Sequence, residues 1–144
     1  MVLFLPAMLL YHNSILKLEY DPSTDILEMT WPDLTIGHLS EVKQALQTMV
    51  ETVRDYDIKK LLVDGTKASI TIPDQDHTEL DLKLAKDFTS TRLQKIARIE
   101  STDFKREFKA EKNRHTIHQN LNIPFLMQNF PDRTSALNWL NEAF

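Results

Sequence analysis

The chain has no cysteine and only two glycines among its 144 residues, and each shortage excludes a class of chemistry. Without cysteine it forms no disulfide, thiolate nucleophile, iron–sulfur ligand or cysteine-type zinc site. Two glycines are too few for a glycine-rich phosphate loop, in which several residues must turn tightly or approach an anion closely. The sequence therefore excludes the Walker and dinucleotide-binding fingerprints.

Positive charge is also scarce, with 17 Lys and Arg against 21 Asp and Glu and a net charge of −4. General nucleic-acid binding needs a basic surface, so we expect no nucleic-acid partner. The basic residues concentrate in the run KREFKAEKNRH, which suits an anionic membrane, an acidic partner or single-stranded nucleic acid. Because Glu107 and Glu111 lie within this run, a solvated helix face explains it more simply.

The longest apolar run, MVLFLPAMLLY, opens the chain. It lacks the basic region and cleavage site of a signal peptide, and it is shorter than the roughly 20 residues that span a bilayer. We expect residues 1–10 to form an apolar arm or extra strand before a single domain at residues 11–144. The alternatives are an upstream start codon, with Met8 as the true start, or a membrane-associating tail. We therefore expect a cytoplasmic protein with no integral membrane segment, and an arm that favours a homodimer.

Apolar periodicity predicts nine elements in the order ββαβαβαβα. The predicted strands cover residues 14–20, 26–31, 59–65, 95–100 and 124–130, and the first two form a hairpin around DPSTD. The predicted helices cover residues 35–56, 74–91, 101–122 and 132–144. Because strands and helices alternate after the hairpin, we predict an α/β fold with a mixed, mostly parallel five-stranded sheet flanked by four helices.

The loop after the third predicted strand is the first candidate site. The run KKLLVDG ends this strand near Asp64, and open α/β sheets bind ligands beyond the carboxyl ends of their strands. A purely structural Asp64 that caps the loop is an equal alternative. The residues that we select for binding a partner or ligand are Asp64, Thr66, Ser69, Thr71 and Asp74.

Two groups of residues resemble metal sites without completing one. Acids in the first turn of a helix complement its dipole, which explains the cluster Asp74, Asp76, His77, Glu79 and Asp81. His115 and His118 share a predicted helix face, but no dedicated third ligand accompanies them. No GxSxG elbow or recognisable catalytic triad occurs. We therefore expect no metal, no cofactor and no enzymatic activity.

Five segments carry a family resemblance by their order and spacing. They are Tyr11 and Asn13 before LKLEYD, then ILEMTW, KKLLVDG, KIARI, and a closing Phe followed by SALNWL. In these segments the chain resembles the STAS-like domains of the SpoIIAA-like family, in particular the small single-domain STAS/SEC14-like proteins of Bacteroidetes. The resemblance covers nearly the whole chain from Tyr11 onward.

The resemblance implies a non-enzymatic binding or regulatory module that acts through an unidentified protein partner. Relatives that antagonise anti-sigma factors carry a phosphorylated serine where the helix after the third strand begins. Here Pro73, Asp74 and Asp76 occupy that position, without a DSSG-type motif. The SEC14-like resemblance implies the alternative, a carrier or sensor of a small apolar, lipid-like ligand. Its candidate lining residues are Trp31, Met49, Phe88, Phe104 and Phe108.

Overall fold

Three antiparallel strands open the described part of the chain, residues 7–143 of a computed structural model. They are β1 (Met8–His12), β2 (Lys17–Asp21) and β3 (Ile26–Thr30). The turn between β2 and β3 places Asp25 at a positive φ of 58°, where its carboxylate accepts a 2.7 Å hydrogen bond from the Tyr20 hydroxyl. The prediction of five strands is wrong by one strand. The apolar sequence of β1 lacks a clear alternation, and it could not be distinguished from a packed arm.

Three strand–helix–strand crossovers build the rest of the sheet. The elements are a short 3-10 helix (Ile36–His38), α1 (Leu39–Asp55), β4 (Lys60–Asp64), α2 (Asp74–Phe88), β5 (Lys95–Ile99), α3 (Phe104–Asn120), β6 (Leu126–Phe130) and α4 (Arg133–Asn141). The strands lie in the order β1-β2-β3-β4-β5-β6, and every pair from β3 to β6 is parallel. The predicted α/β class, the mixed and mostly parallel sheet and the four helices are confirmed.

Local sequence signals explain where the helices form. In α1 the buried side chains recur at helical spacing, from Val42 and Leu46 to Val53. Two helices begin at an aspartate that caps a free backbone N–H. Asp103 accepts from the N–H of Arg106 at the start of α3, and Asp132 accepts from the N–H of Ser135 at the start of α4.

The sheet has a separate apolar core on each face. Helices α1, α2 and α3 cover one face. Strand side chains such as Leu18, Leu27 and Leu61 project from this face into the larger core. Helix α4 covers the other face. Its smaller core consists of Ile26, Leu62, Ala97, Ile99, Phe130, Ala136 and Leu140, with Leu137 and Trp139 packed against it.

The predictions for the chain ends fall partly outside residues 7–143. Residues 1–6 of the expected arm are not among the described residues, and neither is Phe144, the last residue of the predicted apolar stripe of α4. Within the described range, none of the helices combines the length and the apolar character that crossing a membrane requires.

Candidate functional site

Hydrogen bonds fix the loop between β4 and α2, which the sequence selected as a site. The backbone N–H of Leu34 donates to the carbonyl of Ser69 at 2.8 Å, and the N–H of Thr71 donates back to the carbonyl of Leu34 at 2.9 Å. The Asp33 carboxylate accepts from the N–H of Ser69 at 2.7 Å. The loop therefore follows a defined path along the segment after β3.

The five selected residues fall into smaller groups within this loop. The Asp64 carboxylate accepts from the N–H and the hydroxyl of Thr66 at 3.0 and 2.6 Å, which is the capping role considered as the structural alternative. Thr66, Ser69 and Thr71 are exposed. Asp74 begins α2, where its carbonyl accepts from the Thr78 hydroxyl. Among the described residues, it forms no hydrogen bond with the other four.

A cavity of about 140 Å³ lies between the sheet, α2 and α3, and we call it the α2–α3 cavity. Most of its wall is apolar. Of the lining residues predicted for an apolar ligand, Trp31, Met49 and Phe88 form part of this wall. Several lining residues lie near the carboxyl ends of parallel strands, the edge at which open α/β sheets bind ligands.

The prediction that Phe104 and Phe108 line a cavity is wrong. Their side chains are 82% and 67% exposed on the solvent side of α3. The face of α3 that meets the cavity instead carries Arg106, Ala110 and Arg114, followed by the buried Ile117. Arg106 and Arg114, rather than the two phenylalanines, therefore lie on the side of α3 that faces the cavity.

One end of the α2–α3 cavity is polar. Arg98 lines this end and forms a bidentate ion pair with Glu107. The guanidinium of Arg98 donates to the two carboxylate oxygens of Glu107 at 2.5 and 3.0 Å. Glu107 also accepts from the N–H and the hydroxyl of Ser101. Burial acts to raise the pKa of Glu107, but the hydrogen bonds from Arg98 and Ser101 outweigh it and lower that pKa.

A buried polar network joins α2 to α3 beside this end. The Asn113 amide donates to Asp81 at 2.9 Å and accepts from the Thr78 hydroxyl at 2.8 Å. Lys109 donates to the same hydroxyl, and His77 lies 3.4 Å from the Asp81 carboxylate. Burial lowers the pKa of His77 and raises the pKa of Asp81, in each case against the attraction of the other.

Two arginines at the polar end have buried donors without an acceptor. The Nε atoms of Arg106 and Arg114 are buried, and neither has a hydrogen-bond partner in residues 7–143. Burial and the nearby charge of Arg98 lower the pKa of Arg106. The Nη1 of Arg114 lies 3.7 Å from Glu111, and a third of the Arg114 side chain is exposed. The cavity therefore combines an apolar wall with a cationic end.

Sequence reasoning missed the polar end of the cavity. A usable signal for His77 and Asp81 was their helical spacing with the buried Leu84 and Phe88, which placed them on the inner face of α2. Arg98 follows Ile96 by two residues in β5, so the two side chains lie on the same face of the sheet. No three metal-ligating side chains converge anywhere in the described part of the chain.

Among solved structures, the fold is similar to that of an uncharacterised protein of the DUF3478 family from Shewanella loihica PV-4, which is described as having a SpoIIAA-like fold. The match covers 94% of this chain and 92% of that chain, with a TM-score of 0.53 and 16% sequence identity. At this identity the similarity shows the fold alone, and it confirms the SpoIIAA-like fold that the resemblance implied. No family model matches the chain, and no curated protein matches it.

Proposed function

We propose that the protein is a non-enzymatic binding module that takes a small, largely apolar ligand into the α2–α3 cavity. The observation that carries this proposal is the cavity itself, a space of about 140 Å³ with a mainly apolar wall. The cavity is partly open to solvent, and side chains such as Met49, Phe88 and Phe125 present its apolar wall. Concave, apolar spaces with a few convergent polar groups are typical of ligand sites.

The volume limits the part of the ligand that the cavity encloses. An apolar cavity of about 150 Å³ accommodates benzene, so the enclosed part has on the order of six carbon atoms. A longer chain would extend beyond the cavity. The proposed ligand is therefore a small molecule, or the end of a longer one.

A titration with benzyl alcohol, followed in ¹H–¹⁵N and methyl NMR spectra, tests this proposal. We expect saturable shifts at the cavity-lining Met49 and Met127. Ala110→Leu fills part of the cavity from α3 and should weaken binding about tenfold or more, because a methylene group is worth about 0.8 kcal/mol and the added side chain also excludes the ring. The matched control is Ala143→Leu, which adds the same group at an exposed position.

The titration can also contradict the proposal. If the shifts do not saturate, or if Ala110→Leu and wild type bind benzyl alcohol equally well, the cavity is not a ligand site.

A second proposal is that a protein partner docks on the loop between β4 and α2. Two observations support it: this loop has a hydrogen-bonded path, and it carries the exposed Thr66, Ser69 and Thr71. A shallow groove of about 620 Å³ borders it, lined by Lys67 and Ala68 with residues from 12–17 and 30–38. A fixed backbone reduces the entropy that docking would otherwise cost.

Photo-crosslinking in the host cell tests the second proposal. A crosslinking residue at Thr66 or Ser69 should capture one protein, whereas the same residue at the exposed Asn141, the last residue of α4, should not. The triple variant T66A/S69A/T71A should weaken that capture in a pull-down. Equal capture from Asn141, or capture unaffected by the triple variant, would remove the loop as the docking surface.

A further inference from the structure

The charged groups at the polar end of the α2–α3 cavity differ in whether they have a counter-charge or a hydrogen-bond partner. Arg98 has its counter-charge in Glu107, at 2.5 and 3.0 Å. Asp81 receives the Asn113 amide and lies beside His77. Arg106 has neither an ion pair nor a side-chain hydrogen bond within residues 7–143, although Glu107, Asp103 and Asp33 act on it at longer range.

Arg114, two turns further along α3, differs from Arg106 in having an ion pair, although a long one. Its contact with Glu111 is 3.7 Å long and solvent-exposed, and its buried Nε has no acceptor in the described range. Arg106 and Arg114 flank Ala110 on one helix face, and all three line the cavity. Both side chains are partly exposed, but the buried Nε of each has no acceptor within residues 7–143, so an anion at this end of the cavity would supply one to both arginines.

We propose that the ligand of the α2–α3 cavity carries an oxyanion head on its apolar body, and that Arg106 and Arg114 bind this head. The inference rests on the proposed function of the cavity as a ligand site and names the class of ligand. The planar fork of arginine matches the geometry of a carboxylate or a phosphate ester. With an enclosed body of on the order of six carbons, the class is that of small aromatic or short aliphatic acids and their phosphate counterparts.

Three probes share one aromatic ring and differ in its polar group: benzoate, phenyl phosphate and benzyl alcohol. They distinguish binding of the oxyanion head from binding of the apolar body. Their dissociation constants are measured by NMR titration at one pH and one ionic strength. We expect an oxyanion probe to bind about ten- to a hundredfold more tightly than benzyl alcohol, because hydrogen bonds to charged groups contribute about 1.5–3 kcal/mol. Whether benzoate or phenyl phosphate binds more tightly decides between the two kinds of head.

Four variants of α3 test which residues bind the oxyanion head. Arg106→Met and Arg114→Met keep the bulk of the side chain and remove the charge, and each should reduce the preference for the oxyanion at least fivefold. Lys112→Met removes the same charge from an exposed position of the same helix and should leave the preference unchanged. Arg106→Lys keeps the charge without the fork and should fall between wild type and Arg106→Met.

The thermal stability of the free proteins gives a second readout. A guanidinium that lacks a partner in the free protein contributes no ion pair to folding, so Arg106→Met should melt at the wild-type temperature or above it. A structural arginine would behave in the opposite way, and a clear loss of stability in both Arg106→Met and Arg114→Met would overturn the inference.

The binding data distinguish the two proposals. If benzyl alcohol and both oxyanion probes bind equally well, the cavity remains a ligand site and the oxyanion inference is wrong. The same conclusion follows if the preference survives in both methionine variants. If none of the three probes binds, both the proposed function and this inference are wrong.

Discussion

The two faces of the sheet are packed in different ways. Under α4, a small apolar core is closed by aromatic contact, with the Phe130 and Trp139 rings 5.5 Å apart. Lys95 is only 2% exposed there. Its ammonium donates to the carbonyls of Trp139 and Glu142 at 2.8 and 2.9 Å and lies over the Trp139 ring. On this face, carbonyls at the end of the helix have a hydrogen-bond donor, and the apolar side chains are enclosed.

The opposite face is equally well packed under α1 but not under α3. Asn113 and Ile117 are the only buried residues of α3 in the described structure, and its contact with α2 runs through Thr78, Asp81 and Asn113. A cavity remains beneath it. The two faces therefore differ at their helices: α4 closes over an apolar core, whereas α3 lies over a cavity beside a polar contact.

The largest expected effect concerns apolar packing under α4. Leu140→Ala should lower the free energy of unfolding by about 3–5 kcal/mol, because the fully buried leucine leaves a new void. Leu84→Ala should lower it by only about 2 kcal/mol, since Leu84 already borders the α2–α3 cavity and its removal enlarges an existing space. Urea unfolding of both variants measures the difference. An equal loss in the two would contradict the contrast between the faces.

The next effect concerns the lysine that holds the end of α4. Lys95→Met keeps the length of the side chain but leaves the carbonyls of Trp139 and Glu142 without this donor. Because hydrogen bonds to charged groups contribute about 1.5–3 kcal/mol and the ammonium donates two of them, we expect a loss of at least about 1 kcal/mol. Faster amide hydrogen exchange in α4 than in α1 would identify the site of the damage. Lys112→Met, on the exposed side of α3, is the control and should change neither quantity.

The polar network beside the cavity should give stability a pH dependence of two opposite signs. Burial lowers the pKa of His77 below its ordinary 6.5, so the unfolded state binds more protons and acidification below about 6.5 reduces stability. Burial raises the pKa of Asp81 above 3.8, so the folded state binds the proton more tightly. Stability therefore falls as the pH rises from 3.8 towards the raised pKa. The two contributions partly cancel in the wild type.

Single variants separate these contributions. Relative to the wild type, His77→Gln should gain stability as the pH falls below about 6.5, and Asp81→Asn should gain stability as the pH rises from about 4 towards neutrality. Urea unfolding across this range measures both. His115→Gln removes an exposed histidine of α3 and should follow the wild-type profile. Parallel profiles for all four proteins would show that the network does not titrate with folding.

Sequence alone predicted the elements whose local pattern agrees with their tertiary role. The buried stripe of α1 and the Asp132 cap of α4 are of this kind, and so are the short apolar strands β4 and β5. Propensity, periodicity and packing agree in these segments. The sequence does not distinguish the first strand from a packed arm, because MLLYH is apolar at successive positions and its side chains are mostly not buried.

The candidate cavity could be predicted only in part, and the reason is physical. Trp31, Met49 and Phe88 follow the rule that apolar groups are buried, and they line the cavity as expected for an apolar ligand. The rule fails on α3, where Arg106, Asn113 and Arg114 occupy the inner face. Whether a cationic side chain is solvated or turned inward depends on what the neighbouring helix and strand present, and one sequence does not give that information.

The smallest expected effect follows from this failure. If Phe104 and Phe108 lined a cavity, as the SEC14-like resemblance implied, replacing them would cost several kcal/mol. Their exposure predicts that it will not. Phe104→Ser and Phe108→Ser should each change the free energy of unfolding by no more than about 0.5 kcal/mol, the usual range for surface substitutions. Ile117→Ser, on the buried side of the same helix, is the contrasting variant and should be strongly destabilising. A large loss in either phenylalanine variant would mean that α3 packs with the other face inward, and the cationic end of the cavity would then not exist.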